Sequence, residues 1–207
     1  AGFQVLLHRY TAEEDIRVGV PIANRDHPET EGLVGFFVNT QVLRGALRAE
    51  LPLQQVLEQV REASLQAQAH QDLPFEQLVE ALQPERSLGH TPLFQVLMNH
   101  LRSNTEPLAQ LPGLALEDFP LGSQKAQFEL TLHTMEDAQG RLSVAFVYAR
   151  ELFEPRTVER MAGHYAAVLR ALAETPTCRV GEVELLGARE RQQLAAWGAD
   201  APVDAEG

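Results

Sequence analysis

The side chains able to move protons, attack carbonyls or hold metals in this chain are its histidines, its carboxylates and one thiol. His133 and Asp137 have the spacing H-x-x-x-D within His133–Thr134–Met135–Glu136–Asp137, which suits an acid–base pair only if both side chains reach one site. His70 and Asp72 precede Pro74. A histidine at a helix C-terminus interacts favourably with the helix dipole and an Asp caps the next helix, so that pair reads as structural rather than catalytic. His90 and His100 have no acidic or cysteine partner at a recognised ligand spacing, and no metal site is expected. Gly122–Ser123–Gln124–Lys125 lacks the glycine spacing and the Lys-Ser/Thr ending that let a loop cradle phosphate, and reads as a turn. Cys178 is the single cysteine; it excludes an internal disulfide, suits a reducing cytoplasm and reads as an ordinary thiol.

Composition narrows the classes further. The 207 residues carry 29 acidic and 17 basic side chains, a formal charge of −12, which argues against a sequence-independent grip on nucleic-acid phosphates. Apolar residues make up 44% and charged residues 22%, ordinary globular values. No apolar stretch approaches the roughly 20 residues that cross a bilayer, so neither nucleic acid nor membrane is an expected partner. The length suits one compact unit, and the opening AGFQVLLHRY, with no Met and no basic leader, reads as a helix cut in its middle.

Periodicity supplies the elements that must position these residues. Phe3, Leu6, Leu7 and Tyr10 have helical spacing, Ile16, Val18, Val20 and Ile22 alternate as in a strand, and Ala23–Glu31 is a polar loop. Phe36–Arg44 resumes an extended pattern, in which Phe36 and Phe37 fall on opposite faces, with core the default for both. Leu53, Val56, Leu57, Val60, Ala63 and Ala67 mark one buried helical face, and Phe75–Leu82 a short helix after Pro74. Residues 93–101 fit an interior strand, while Ala126–Met135 and Leu142–Tyr148 form an antiparallel pair turning around Asp137–Gly140. A last helix opens at Pro155 and carries the stripe Val158, Met161, Ala162, Tyr165, Val168, Leu169 and Leu172 before Pro176. From residue 187 the chain reads as a charged amphipathic turn and a polar tail, a linker covering 187–207. The order of elements predicts an α/β fold with a mixed β-sheet covered by helices on one side.

Four segments in this order resemble the core motifs of condensation domains from nonribosomal peptide synthetases: Asp15–Arg25, Val34–Arg44, His70–Val79 and Arg86–Asn99. Lys125–Leu132 is similar to the family's segment before the closing hairpin, with Glu129 where Asp is common, and Cys178–Gly198 looks like a connector toward an adenylation domain. The resemblance implies a chloramphenicol-acetyltransferase-like fold, two α/β lobes in a V, of which residues 1–186 are the C-terminal lobe and 1–10 a truncated inter-lobe helix. It also implies that the doubled-histidine motif, HHxxxDG, lies in the other lobe. His133–Asp137 has no preceding second histidine and has Ala138 in place of the glycine, so it is rejected and no catalytic residue is assigned to this chain.

The function so implied is amide formation between carrier-tethered aminoacyl or peptidyl thioesters, in the cytoplasm, without activity in the absence of the N-terminal lobe. The expected partners are that lobe, donor and acceptor peptidyl carrier domains and a following adenylation domain. No cofactor is bound directly, the phosphopantetheine arm being the carriers' own. A dual condensation–epimerisation lobe and a non-catalytic docking lobe are the alternatives; a plain epimerisation domain fits Val34–Arg44 less well. Candidates for the substrate tunnel or lobe interface are Arg25, Phe37, Asn39, Thr40, Gln127 and Glu129, with residues 108–130 as a latch toward the other lobe. Arg25 either fixes carboxylates or a thioester by multidentate hydrogen bonds or makes a structural ion pair. Asn39 and Thr40 either face the passage or satisfy nearby backbone.

Overall fold

The computed structural model describes residues 1–25, 28–84, 91–102, 113 and 125–199. Outside them lie His90, the turn at 122–124, most of the 108–130 latch and the end of the tail. The elements are α1 (Gly2–Thr11), β1 (Asp15–Ile22), the short α2 (Pro28–Glu31), β2 (Asn39–Ala46), α3 (Leu53–Ala69), α4 (Phe75–Leu82), β3 (Val96–Arg102), β4 (Leu130–Glu136), β5 (Leu142–Tyr148), α5 (Pro155–Glu174), a 3-10 turn (Val180–Glu182) and α6 (Ala188–Ala199).

The strands form one sheet in the order β2-β1-β3-β4-β5. β1 pairs antiparallel with β2 and parallel with β3, β3 parallel with β4, and β4 antiparallel with β5, so the sheet is mixed as expected. Register assigns the faces. Ile16, Val18, Val20, Val96, Met98, Leu130, Leu132, Phe146 and Tyr148 share the inner face and join one core with Phe3, Leu6, Met161, Tyr165 and Val168 from α1 and α5. Leu53 and Val56 bring α3 into the same core. α1 is buried around its whole circumference from Gly2 to His8, which a helix tolerates only when apolar on all sides or satisfied where polar. Its buried Gln4 donates to the Leu43 carbonyl at 3.3 Å, and its buried His8 meets the Glu13 carbonyl at 2.6 Å.

On the outer face Phe94 lies over Gly19, flanked by Phe75 and Phe128 with ring centroids 5.6 and 5.4 Å away. A Cβ at Gly19 would come within 2.7 Å of Phe94 Cδ2 and closer still to Cε2, so this glycine is set by close approach.

The structure revises several boundaries. β2 begins at Asn39, so Phe36 and Phe37 lie before the strand and the opposite-face argument does not apply to them; Phe36 is 90% exposed rather than in the core. The expected loop contains the helical turn α2. β3 starts at Val96 because Leu93 takes a left-handed conformation, φ 70°, that interrupts extended backbone. β4 starts at Leu130, after bends at 127–129. The charged turn expected after residue 187 is the twelve-residue helix α6. No helix among the described residues is long and apolar enough to cross a membrane.

Gly19→Ala should lower the unfolding free energy by about 1–3 kcal/mol, the usual cost of overpacking a filled core. Urea denaturation checks this, and adding Phe94→Leu should restore part of the loss; an unchanged midpoint for Gly19→Ala alone would contradict the packing described.

Candidate functional site

The N-terminal end of β2 organises the candidate site, because its alternating polar residues are each committed to a different task. Asn39 and Gln41 stand on the inner face, paired with Ile22 and Val20, and Thr40 on the outer. Asn39 Nδ2 donates to the carbonyls of Gln71 (3.1 Å) and Leu73 (2.9 Å), while its Oδ1 accepts from the amides of Thr40 (2.9 Å) and Phe75 (3.1 Å). One amide side chain therefore closes the turn between α3 and α4 and satisfies the first amide of α4, the capping role expected of Asp72. Pro74 is the N-cap residue and makes no side-chain cap. Gln41 Nε2 donates to the Ala67 carbonyl at 2.6 Å and fastens the C-terminal end of α3 to the same strand. Asn39 thus satisfies nearby backbone, and it also lines the cleft at this end of the strand.

Arg25 follows β1 and shapes the segment before β2. Its Nη1 donates to the carbonyls of Thr30 (2.5 Å) and Leu33 (2.8 Å), and Nη2 to that of Gly35 (3.4 Å). The guanidinium carbon sits 4.2 Å from the centroid of the Phe37 ring. These described partners are main-chain oxygens and an aromatic face, and through them the guanidinium staples the loop. A lysine ammonium has neither the planar face to stack nor the fork to span spaced carbonyls. The staple displays apolar side chains, Leu33, Val34, Phe36 and Val38, to solvent.

A cleft of about 340 Å³ opens between that segment and the start of α4, lined by Asn24, Phe36, Phe37, Val38, Asn39, Thr40, Asp72, Pro74, Phe75 and Glu76. Phe37, Asn39 and Thr40 are thus brought together, with Arg25 supporting Phe37 from outside the lining. Gln127 and Glu129 are not part of it. Gln127 is exposed, and Glu129 is half-buried with its carbonyl accepting from the Ala149 amide at 3.0 Å. The lining combines aromatic walls with amide and hydroxyl groups and the carboxylates of Asp72 and Glu76.

The H-x-x-x-D pair is not a site. Asp137 turns the hairpin, accepting from the amides of Gln139 (3.0 Å) and Arg141 (2.8 Å) and from Arg141 Nε (2.7 Å). The Arg141 amide, foremost among these, holds its carboxyl below the usual range. His133 stands on the outer face of β4, opposite Asn99. His100 is on the inner face, its Nδ1 2.9 Å from Thr134 Oγ1, a contact between strands. Gln41 and Phe75 were not singled out from the sequence; the period-two polar pattern Asn39–Gln41 is the signal that marks the former.

A family model described as the condensation domain matches residues 1–195. A linear gramicidin synthase of Brevibacillus parabrevis is 44% identical over 209 residues, 100% of this chain and 3% of the relative. Tyrocidine synthase 3 of the same organism is 42% identical over 192 residues, 93% and 3%. Among solved structures, a four-domain nonribosomal peptide synthetase bound to AMP and glycine superposes with TM-score 0.82 at 28% identity, over 92% of this chain and 15% of that one. The X-domain from teicoplanin biosynthesis gives 0.78 at 28%, over 89% and 42%. The first condensation domain of the calcium-dependent antibiotic synthetase, in complex with a substrate analogue, gives 0.66 at 21%, over 90% and 40%, a likeness of fold.

Asn39→Ala should cost about 1–2 kcal/mol, since it strips a partner from the part-buried Gln71 carbonyl, from the exposed Leu73 carbonyl and from the first amide of α4. Asn39→Asp, nearly the same shape, should do no better, because a carboxylate cannot donate to the Gln71 and Leu73 carbonyls. Thermal melts together with hydrogen exchange at Phe75 test both; an Asp variant as stable as wild type would contradict the role.

Proposed function

The chain belongs to the condensation-domain family of nonribosomal peptide synthetases, and from that premise we propose that it is the C-terminal half of the domain and forms amide bonds only together with the other half. The observation that carries this reading is one of coverage. The lobe superposes over about nine-tenths of its own length while accounting for 40% and 42% of the chains of two solved relatives. The chain spans about 3% of the curated synthetases it matches, so the activity of those whole proteins is a proposal for it.

In this reading the two tethered reactants are an acyl thioester and an amine, each delivered on the pantetheine arm of a carrier domain. The amine nitrogen attacks the thioester carbonyl, the C–N bond forms and the C–S bond breaks. The donor carrier's thiol leaves with the proton the amine gives up. Holding the two ends in line removes much of the entropic barrier, and this lobe supplies a wall, the stapled segment at 33–38 and the cleft beside α4. The proton-handling or positioning histidine comes from the half of the domain outside this chain, because the one H-x-x-x-D pair here is spent on a turn. Partners of this module are then the N-terminal lobe, the two carriers and an adenylation domain.

A second reading, a docking lobe without chemistry, draws on the likeness to the teicoplanin X-domain, a domain also solved in complex with OxyB. Amide formation measured with loaded donor and acceptor carriers separates the two. This chain alone should give no product, and the chain preceded by its N-terminal half should give product. Condensation by the isolated chain would overturn the proposal, and carrier binding without product by the two-half protein would favour docking.

A further inference from the structure

Away from the cleft, a buried histidine joins three helices through a relay that neither the core nor the proposed chemistry needs. His164 lies in the middle of α5 and is 7% exposed. Its Nδ1 is 2.7 Å from Tyr10 Oη at the end of α1, and its Nε2 is 3.1 Å from both carboxylate oxygens of Glu190 in the first turn of α6. A carboxylate only accepts, so Nε2 carries a hydrogen and donates to Glu190, while Nδ1 faces the Tyr10 hydroxyl. Burial raises the Tyr10 pKa above its ordinary value and keeps the phenol a donor. Arg160, one turn before His164 on α5, is the cation that acts on both Tyr10 and Glu190.

What this relay holds is otherwise loosely seated. Among residues 188–198 Glu190 alone is not exposed; Leu194 and Trp197, on the same side of the helix as Glu190, are exposed. Glu190 also accepts from the Gly187 amide at 2.9 Å, so one carboxylate both caps α6 and docks it. α1 grips the approach to α6 as well, through Arg9 Nη1, which donates to the carbonyls of Val180 (2.9 Å) and Val183 (2.8 Å).

We propose that Tyr10–His164–Glu190 is a clasp: among the described residues α6 is held against α1 and α5 by this polar relay, its ion pair Arg191–Glu184 reaching only the segment that leads into it, so that α6 can be released without unfolding the lobe and takes its direction from the last turn of α1. An element seated by apolar burial is locked with its core, whereas one seated by a single chain of hydrogen bonds opens locally. The proposal is independent of whether the domain condenses substrates.

The test uses hydrogen exchange across 191–198 in this chain, with anisotropy of Trp197, its sole tryptophan, as a second readout. Glu190→Gln keeps one oxygen for the Gly187 amide but removes the carboxylate charge and puts an amide donor where the other carboxylate oxygen met His164 Nε2. It should speed exchange of the α6 amides by about tenfold, the effect of losing one hydrogen bond to a charged group. Tyr10→Phe touches nothing in α6, yet it should speed the same amides by a smaller factor, and the double variant should be no faster than Glu190→Gln alone. Amides of α5 and β4 should keep their wild-type rates, and Trp197 anisotropy should fall in step with α6 exchange. Wild-type α6 rates in Tyr10→Phe would reduce Glu190 to a cap and overturn the clasp. Loss of α5 protection together with α6 would overturn it also, by showing the relay to be part of the core.

Discussion

The enclosure of α1 is the constraint on which the rest of the lobe depends. Seven consecutive residues, Gly2 to His8, are buried, so every direction around this helix must be filled. The sheet fills one side with Ile16, Val18 and Leu132, and α5 another with Tyr165 and Val168. Gly2 allows the close approach to α5, where a Cβ would meet Leu169 Cδ2 at 3.0 Å. Gly45 likewise leaves room for Gln4, whose Nε2 would lie 2.8 Å from a Cβ there. Gln4 Oε1 has no partner among the described residues, a cost the surrounding apolar burial carries. Because α1 is central, its last turn is within reach of the C-terminal segment, and Arg9 and Tyr10 use that position.

The same sheet register separates structural work from accessible surface. The middle of the inner face of β1, β3 and β4 is taken by the core, and the polar inner-face residues Asn39 and Gln41 are bonded to main-chain partners from the α3 end and the α4 start. Accessible surface remains on the outer face, where Thr40, Asn99 and His133 stand and where Leu101 and Met135 are exposed, at the inner-face ends His100, Arg102, Leu142 and Val144, and on the apolar segment held out by Arg25. The helices α1, α3 and α5 contribute to the core on the other side.

Sequence periodicity identified the elements whose identity follows from their own residues. The stripe from Leu53 to Ala67 is α3, the stripe from Val158 to Leu172 lies in α5, and the alternation from Ile16 to Ile22 is β1, because each buries part of the face its spacing creates, with Leu57 and Ala162 left exposed against expectation. It failed where a distant side chain decides the backbone. Phe36–Val38 have strand-like composition, but Arg25 draws the carbonyls of Thr30, Leu33 and Gly35 toward itself and delays the ladder until Asn39. Leu93 and Phe94 likewise belong to an apolar run, yet Phe94 is turned over Gly19 and the strand waits until Val96. The candidate site was legible in part for the same reason: Asn39 stands out as a polar residue in an apolar run, whereas its four partners lie across the chain and leave no local trace.

His164 shows the limit more sharply. It sits within the stripe of Met161, Tyr165 and Val168, where a histidine is costly unless both ring nitrogens find partners, so the sequence already poses the question. The answer needs Tyr10 and Glu190, 154 positions before it and 26 after, and only the packing of α1 against α5 brings the first of them to the ring. A buried polar group of this kind is tolerated because its satisfaction is complete, and completeness is what makes it sensitive: removing either partner leaves a ring nitrogen unpaired in the interior. α6, which buries little else, is therefore tied to the most enclosed helix of the lobe by the bond most dependent on that helix being in place.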